Sequence, residues 1–321
     1  MRSSLPLAAA AIIALATASP SQVRVERVTF TSGGERVAAD LYLPRDVSAS
    51  APAPALVVTG AWMTVKEQMA ARYAREMADR GFVALAFDFR GWGQSGGSRR
   101  QYEDPASKIA DIRAAAAYLA TRPEAARGRL GGLGICASSG YMAEAAASAP
   151  GIRSVALVAP WLHDREVVEQ TYGGAAGVAR LIASGDSADA AFRTSGRQRF
   201  VPAASLTDRS AIMYGVPYYT EADRGMIREW RNQADPAFWR GWLTFDAMPA
   251  APRIRQPFLM VHSDSAAIPQ GARRFYGRVT APKSELWLPS VTQLDFYDRP
   301  APVRAASDAV AEHFRATLAS R

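Results

Sequence analysis

Five short apolar runs, at residues 55–59, 82–87, 130–135, 155–159 and 258–261, do most to restrict what this chain can fold into. They are nearly free of polar side chains, as strands buried on both faces must be. Segments of a different period lie between them. Residues 65–80 repeat apolar side chains at helical spacing (Met69, Tyr73, Met77) and stop at Gly81. Ile109, Ile112, Ala116 and Leu119 mark a second helix, and 141–147 falls in an Ala-rich third. A last strand is expected at 286–288 and a closing helix over about 303–318. In front of all these, 23–30 and 36–43 alternate apolar with polar residues around Ser32-Gly33-Gly34, which predicts a hairpin. Strands alternating with helices after a hairpin imply an α/β fold, with a mostly parallel central sheet and helices on both faces. Ligands of such sheets sit beyond the carboxyl ends of the strands, so the chemistry should follow each strand run.

The rhythm lapses between Pro160 and Pro252, a stretch that holds 12 of the 30 aromatic residues. It reads as a helical cap insertion, about 161–250, placed after the sixth sheet strand of a single domain spanning 19–321. Residues 1–18 are set apart. Arg2, an apolar run over 5–15 and Ala16-Thr17-Ala18 before Ser19-Pro20 have the pattern of a secretory signal peptide. The run is too short to span a bilayer comfortably. The expectation is a periplasmic or secreted protein with no membrane span in its mature chain. With Cys136 as its one cysteine, such a protein has no internal disulfide, and Cys-cluster metal sites are excluded. The net charge of +8 is carried by scattered arginines, without a basic stripe or stacking motif, so nucleic acid is not an expected partner. No glycine-rich phosphate cradle or dinucleotide fingerprint is present, and no cofactor is expected.

Gly134-Ile135-Cys136-Ala137-Ser138 follows a buried strand and opens a small-residue helix. That is the setting of a nucleophile elbow, a sharp turn that lifts its central side chain above the sheet. Here the chain resembles the α/β-hydrolase superfamily, most closely its dienelactone-hydrolase-like branch, where the elbow carries Cys instead of Ser. Asp88-Phe89-Arg90-Gly91-Trp92-Gly93-Gln94-Ser95-Gly96 looks like the loop those proteins carry after an early strand, and Asp295-Phe296-Tyr297-Asp298 like the segment leading into their last helix. The resemblance implies Cys136 as nucleophile. It implies an oxyanion hole from the N–H of Ala137 and one from Ala61 or Trp62, and a triad carboxylate at Asp264, with Ser265 the competing position. A thiol at a helix N-terminus is expected to have a lowered pKa. Lys66 and Glu67 read as exposed first-turn charges, and Asp88 and Arg90 as parts of a structural turn.

By the same resemblance the catalytic histidine falls at Gln293, whose amide cannot serve as a general base. His163 could approach from the cap side and is the alternative base. His262 reads as buried, and His313 as structural. The leading expectation is an enzyme that attacks an ester, thioester or lactone carbonyl with Cys136, hydrolysing it or transferring the acyl group. The alternatives are a catalytically reduced binding protein and a lyase or isomerase working through Gln293. The aromatic cap points to a small-molecule substrate, apolar or aromatic.

Overall fold

The computed structural model describes residues 23–319, so the expected signal peptide at 1–18 lies outside the described residues. Eight strands build one sheet: β1 (Arg24–Ser32), β2 (Glu35–Leu43), β3 (Ala53–Thr59), β4 (Val83–Phe87), β5 (Ala125–Ile135), β6 (Ser154–Val158), β7 (Phe258–His262) and β8 (Lys283–Trp287). Their order is β1-β2-β4-β3-β5-β6-β7-β8. The β1–β2 hairpin and the β2–β4 pairing are antiparallel, and every other pairing is parallel. The order follows from burial. Every side chain of β4, β6 and β7 is buried, which a strand achieves only with helices on both faces. Each Val, Leu or Phe so buried contributes roughly 1.5–3 kcal/mol.

Helices α1 (Met69–Asp79) and α9 (Pro300–Thr317) pack together on one face; α2 (Pro105–Leu119) and α3 (Ser138–Ser148) pack together on the other. Asp104 caps α2 by accepting from the Ala106 N–H, and Pro105 fills the first helical position. Helix α1 begins later than its periodicity predicts. The N–H of Val65 is taken by the Gln68 side chain at 3.0 Å and that of Lys66 by Asp88 at 2.8 Å, so these residues form a turn. The last strand begins three residues early, because Lys283, Ser284 and Glu285 lie exposed at the sheet edge and carry no apolar signal.

Between β6 and β7 run α4 (Arg165–Thr171), α5 (Gly174–Ser195) and α6 (Phe238–Thr244), and α7 (Pro269–Arg278) follows β7. Two short strand pairs join them, Val201–Pro202 with Gln233–Ala234 and Ala204–Ser205 with Met213–Tyr214. This insertion is less helical than its sequence suggests, since 196–237 holds no α-helix. It is pinned to the sheet by polar bonds: Trp230 Nε1 to the Met63 carbonyl at 2.7 Å, Gln68 Nε2 to the Gly225 carbonyl at 2.7 Å, and Arg99 to Asp235 at 2.7 Å. No helix among the described residues is long and apolar enough to cross a membrane.

Candidate active site

Cys136 sits between β5 and α3 with φ of 56°, a left-handed conformation rare for a side-chain-bearing residue. Such a backbone costs on the order of 1–3 kcal/mol and persists where its surroundings enforce it. Here its N–H donates to the Val158 carbonyl at 3.1 Å, and its carbonyl accepts from Ser139 and Trp161, both at 3.0 Å. Gly134 makes the turn possible. A Cβ there would lie 2.9 Å from the Ser139 Cα and 3.0 Å from the Ser138 carbonyl oxygen, so no side chain fits between strand and helix.

The sulfur is surrounded by donors. The Tyr297 hydroxyl and the backbone N–H groups of Ala137 and Trp62 act on it to favour its anionic form. The Ala61 N–H is turned away to the Met69 sulfur at 3.4 Å, so of the two expected hole residues Trp62 is the one that faces Cys136. Burial nevertheless outweighs the donors and pushes the thiol pKa up. The lowered pKa expected from the helix N-terminus is thus overturned, because Cys136 is only 5% exposed.

Gln293 reaches this place through the loop after β8. Its Nε2 donates to the Ala159 carbonyl at 2.9 Å and to the Tyr297 hydroxyl at 3.1 Å. Its Oε1 accepts from the Ala267 N–H at 3.1 Å. Tyr297, buried in the short helix α8 (Asp295–Asp298), was not singled out by sequence reasoning, although it lies within a noted segment and one helical turn beyond Gln293. Full burial, with Cys136 and Tyr219 close by, holds its pKa well above the ordinary tyrosine value.

Above the sulfur opens a cavity of about 540 Å³, a usual size for a small-molecule site. Its wall includes Trp62, Trp161, Tyr172, Trp242, Tyr219 and Val216, and among the described residues no Asp, Glu, Lys, Arg or His lines it. Trp62 stacks on Trp242 with centroids 4.6 Å apart.

Residues 33–292 match the model of the X-Pro dipeptidyl-peptidase (S15) family. The chain is 31% identical to the uncharacterized protein PA2218 of Pseudomonas aeruginosa over 306 residues, 87% of this chain and 78% of that protein. The chain belongs to the S15 family. A second relative of this S15-family chain, the acyltransferase drtE of Aspergillus calidoustus, is 30% identical over 145 residues, covering 45% of this chain and 46% of that one. The crystal structure of PA2218 superposes with a TM-score of 0.80 at 27% identity, covering 92% and 94% of the two chains. The α/β hydrolase GrgF of Penicillium sp. sh18 gives 0.77 at 18% identity, covering 92% and 100%. Dienelactone hydrolase of Anabaena variabilis gives 0.56 at 12%, covering 92% and 99%. The last two likenesses show the α/β-hydrolase fold, and it is at the level of fold that the dienelactone-hydrolase resemblance stands.

Several expected site residues lie elsewhere in this S15-family chain. Asp264 has a 67% exposed side chain and pairs with Arg273 at 2.8 Å, which lowers its pKa. It is Ser263 that turns inward, its Oγ accepting from Val291 at 3.2 Å and from Ser265 at 3.1 Å. His163 is buried with both ring nitrogens engaged. Trp161 Nε1 donates to Nδ1 at 2.9 Å, so the proton rides on Nε2, which donates to the Trp242 carbonyl at 3.1 Å. With no free lone pair and a pKa lowered by burial to about 4, His163 is not placed to act as a base. Lys66 is not an exposed charge: it is 3% exposed and bonds to Glu67 and Asp88. Asp88 accepts from the N–H groups of Lys66 and Gln94 at 2.8 and 2.9 Å, and Arg90 pairs with Asp111. His262 is buried against Trp287, and His313 bonds Ser154 at 2.9 Å.

Proposed function

We propose that this protein is an exported acyl-transfer enzyme that attacks an uncharged ester, thioester or lactone carbonyl with Cys136. One observation carries the reading: a thiol on a strained elbow lines an apolar cavity together with Ala137 and Trp62, whose backbone N–H groups would serve a developing oxyanion. A tetrahedral oxyanion held by two such donors is the common feature of acyl transfer.

The cavity supports a neutral, apolar or aromatic acyl group. A dipeptidyl-peptidase substrate carries a free α-ammonium, and no carboxylate among the described residues lines this cavity to receive one. An ester substrate fits that wall better than a peptide. The absence of a placed histidine base favours passing the acyl group to an alcohol or thiol acceptor over hydrolysis, since water is the weaker nucleophile. The similarity to a protein named as an acyltransferase agrees with this.

The test is a panel of activated esters and thioesters read by turnover and by intact-protein mass. The expected result is a single acyl adduct that Cys136→Ala abolishes and that an added small thiol or alcohol discharges faster than water. Turnover that persists in Cys136→Ala would remove the reading. Export is tested separately: the mature chain in its native host should begin at Ser19, and retention of residues 1–18 would refute it.

A further inference from the structure

We propose that Tyr297 is the proton shuttle of this site, its hydroxyl carrying the Cys136 proton to the leaving oxygen while Gln293 holds it in register. The proposal rests on Cys136 as nucleophile, and it supplies what a missing histidine leaves undone.

The polarity of the hydrogen bonds makes the case. The Gln293 NH₂ group has two hydrogens and no acceptor, and both are spent, on the Ala159 carbonyl at 2.9 Å and on Tyr297 at 3.1 Å. In that pair the tyrosine oxygen is therefore the acceptor. Its own hydrogen is not used in that bond, and Tyr297 lines the same cavity as Cys136 and Tyr219. Tyr297 is 3% exposed and its helix is fixed from three sides. The Tyr73 hydroxyl donates to the Phe296 carbonyl at 2.8 Å, Arg224 grips Asp298 at 2.5 and 2.9 Å, and the Tyr218 ring packs edge-on with centroids 5.1 Å apart. A hydroxyl held this firmly is preorganised, which is what proton transfer in a transition state requires.

The step balances without any group of pKa near neutrality. As the sulfur lone pair forms the S–C bond, the carbonyl pair moves onto the oxygen faced by Ala137 and Trp62. When the tetrahedral species collapses, the C–O bond of the ester breaks and its electron pair stays on the leaving oxygen. That oxygen takes the Tyr297 proton, and the tyrosine oxygen takes the thiol proton. Tyr297 ends with the proton count it began with. In the second half the acceptor O–H gives its proton to Tyr297, the new C–O bond forms, the S–C bond breaks, and Tyr297 returns a proton to sulfur. A fixed base would have to hold the proton between the two halves, whereas a shuttle does not. The raised pKa values of both Cys136 and Tyr297 agree with two neutral partners.

The test compares two esters of one acyl group, an alkyl ester and a p-nitrophenyl ester, in Tyr297→Phe. An alkoxide leaves only with a proton, whereas p-nitrophenoxide needs little help. Loss of the shuttle should slow both esters, because the thiol loses its proton acceptor, but should lower alkyl-ester turnover at least ~10-fold more than nitrophenyl-ester acylation. A purely structural tyrosine would lower both alike. Equal losses, or an alkyl ester turned over as before, overturn the proposal. If Tyr297→Phe does not fold, Gln293→Ala loosens the hydroxyl without removing it. It should show the same dependence on leaving group with a smaller amplitude, and equal effects on both esters there also overturn the proposal. Turnover of either ester by Cys136→Ala sinks the nucleophile reading itself, whatever Tyr297 does.

Discussion

The backbone N–H of Ala267 donates to Gln293 Oε1 at 3.1 Å, in the loop after β7 where the resemblance places an acidic partner for the catalytic base. The polarity of the site is thereby reversed. A carboxylate in that loop would accept a hydrogen bond from an imidazole N–H and leave its far nitrogen bare as a base. Ala267 instead offers a donor, so residue 293 must present an acceptor to it. Residue 293 must also present a donor to the Ala159 carbonyl, at 2.9 Å. An amide meets both demands at once, and a histidine meets them only in the unhelpful tautomer.

Gln293→His should therefore gain little. An imidazole accepting from Ala267 would carry its proton on the nitrogen facing Tyr297 and Cys136. Hydrolysis of an activated ester is expected to rise far less than the ~10²–10⁴-fold that a well-placed general base contributes. Initial rates for wild type and variant decide it, and a gain within that range would show that the loop rearranges to accept the new side chain.

The thiol itself should titrate late. Burial disfavours the thiolate and raises the Cys136 pKa above its ordinary value of 9.0, so the neutral thiol prevails at neutral pH. Iodoacetamide labelling of the native protein should be slow at neutral pH and climb with an inflection on the alkaline side of that value. An inflection on the acid side would mean that the donors around the sulfur outweigh its desolvation.

Beneath the loop that carries Trp62 lies a buried pair whose removal should be costly. Glu103 bonds Lys108 at 2.7 Å, the Tyr141 hydroxyl at 2.9 Å and the Met63 N–H at 3.2 Å, next to the Trp62 donor. Both charged side chains are almost wholly buried. Glu103→Ala leaves Lys108 unpaired and is expected to destabilise the fold by about 3–5 kcal/mol. Tyr141→Phe removes one hydrogen bond and should cost about 1–3 kcal/mol. Urea unfolding measures both, and comparable losses in the two variants would mean that the pair is not the support it looks to be.

The central strands were legible because burial on both faces leaves an apolar run that nothing else in the chain imitates. The elbow was legible for a related reason: close approach of strand and helix demands the small residues Gly134, Ala137 and Ser138 around Cys136. What failed was anything decided by a partner distant in sequence. Lys66 reads as solvated because Asp88, which draws it in, comes 22 residues later. Asp264 illustrates a subtler failure. At a strand end, neighbouring side chains turn to opposite sides, so an offset of one residue separates the inward Ser263 from the outward Asp264. Tyr297 was hidden because nothing in Asp295-Phe296-Tyr297-Asp298 reveals which of the two rings faces the sulfur.

Acid should unfold this protein through its histidines. In the folded chain, burial lowers the pKa values of His163 and His262 from 6.5 to about 4, because both rings are held neutral away from water. The unfolded chain regains the ordinary value and binds those protons more readily. A lowered folded pKa means that the stability is fully present above pH 6.5 and is lost progressively as pH falls towards 4. For the His163 ring the loss is on the order of 3 kcal/mol at the acid end. Unfolding free energies measured across this window should fall with a slope of more than one proton per molecule. His163→Gln assigns one of those protons. A glutamine can accept from Trp161 through its carbonyl and donate to the Trp242 oxygen through its amide, the two bonds that His163 makes at 2.9 and 3.1 Å, yet it does not titrate. The variant should match wild type near neutrality and exceed it in acid, with a slope shallower by one proton. Equal acid sensitivity of the two proteins would show that His163 is not the group whose protonation opens the fold.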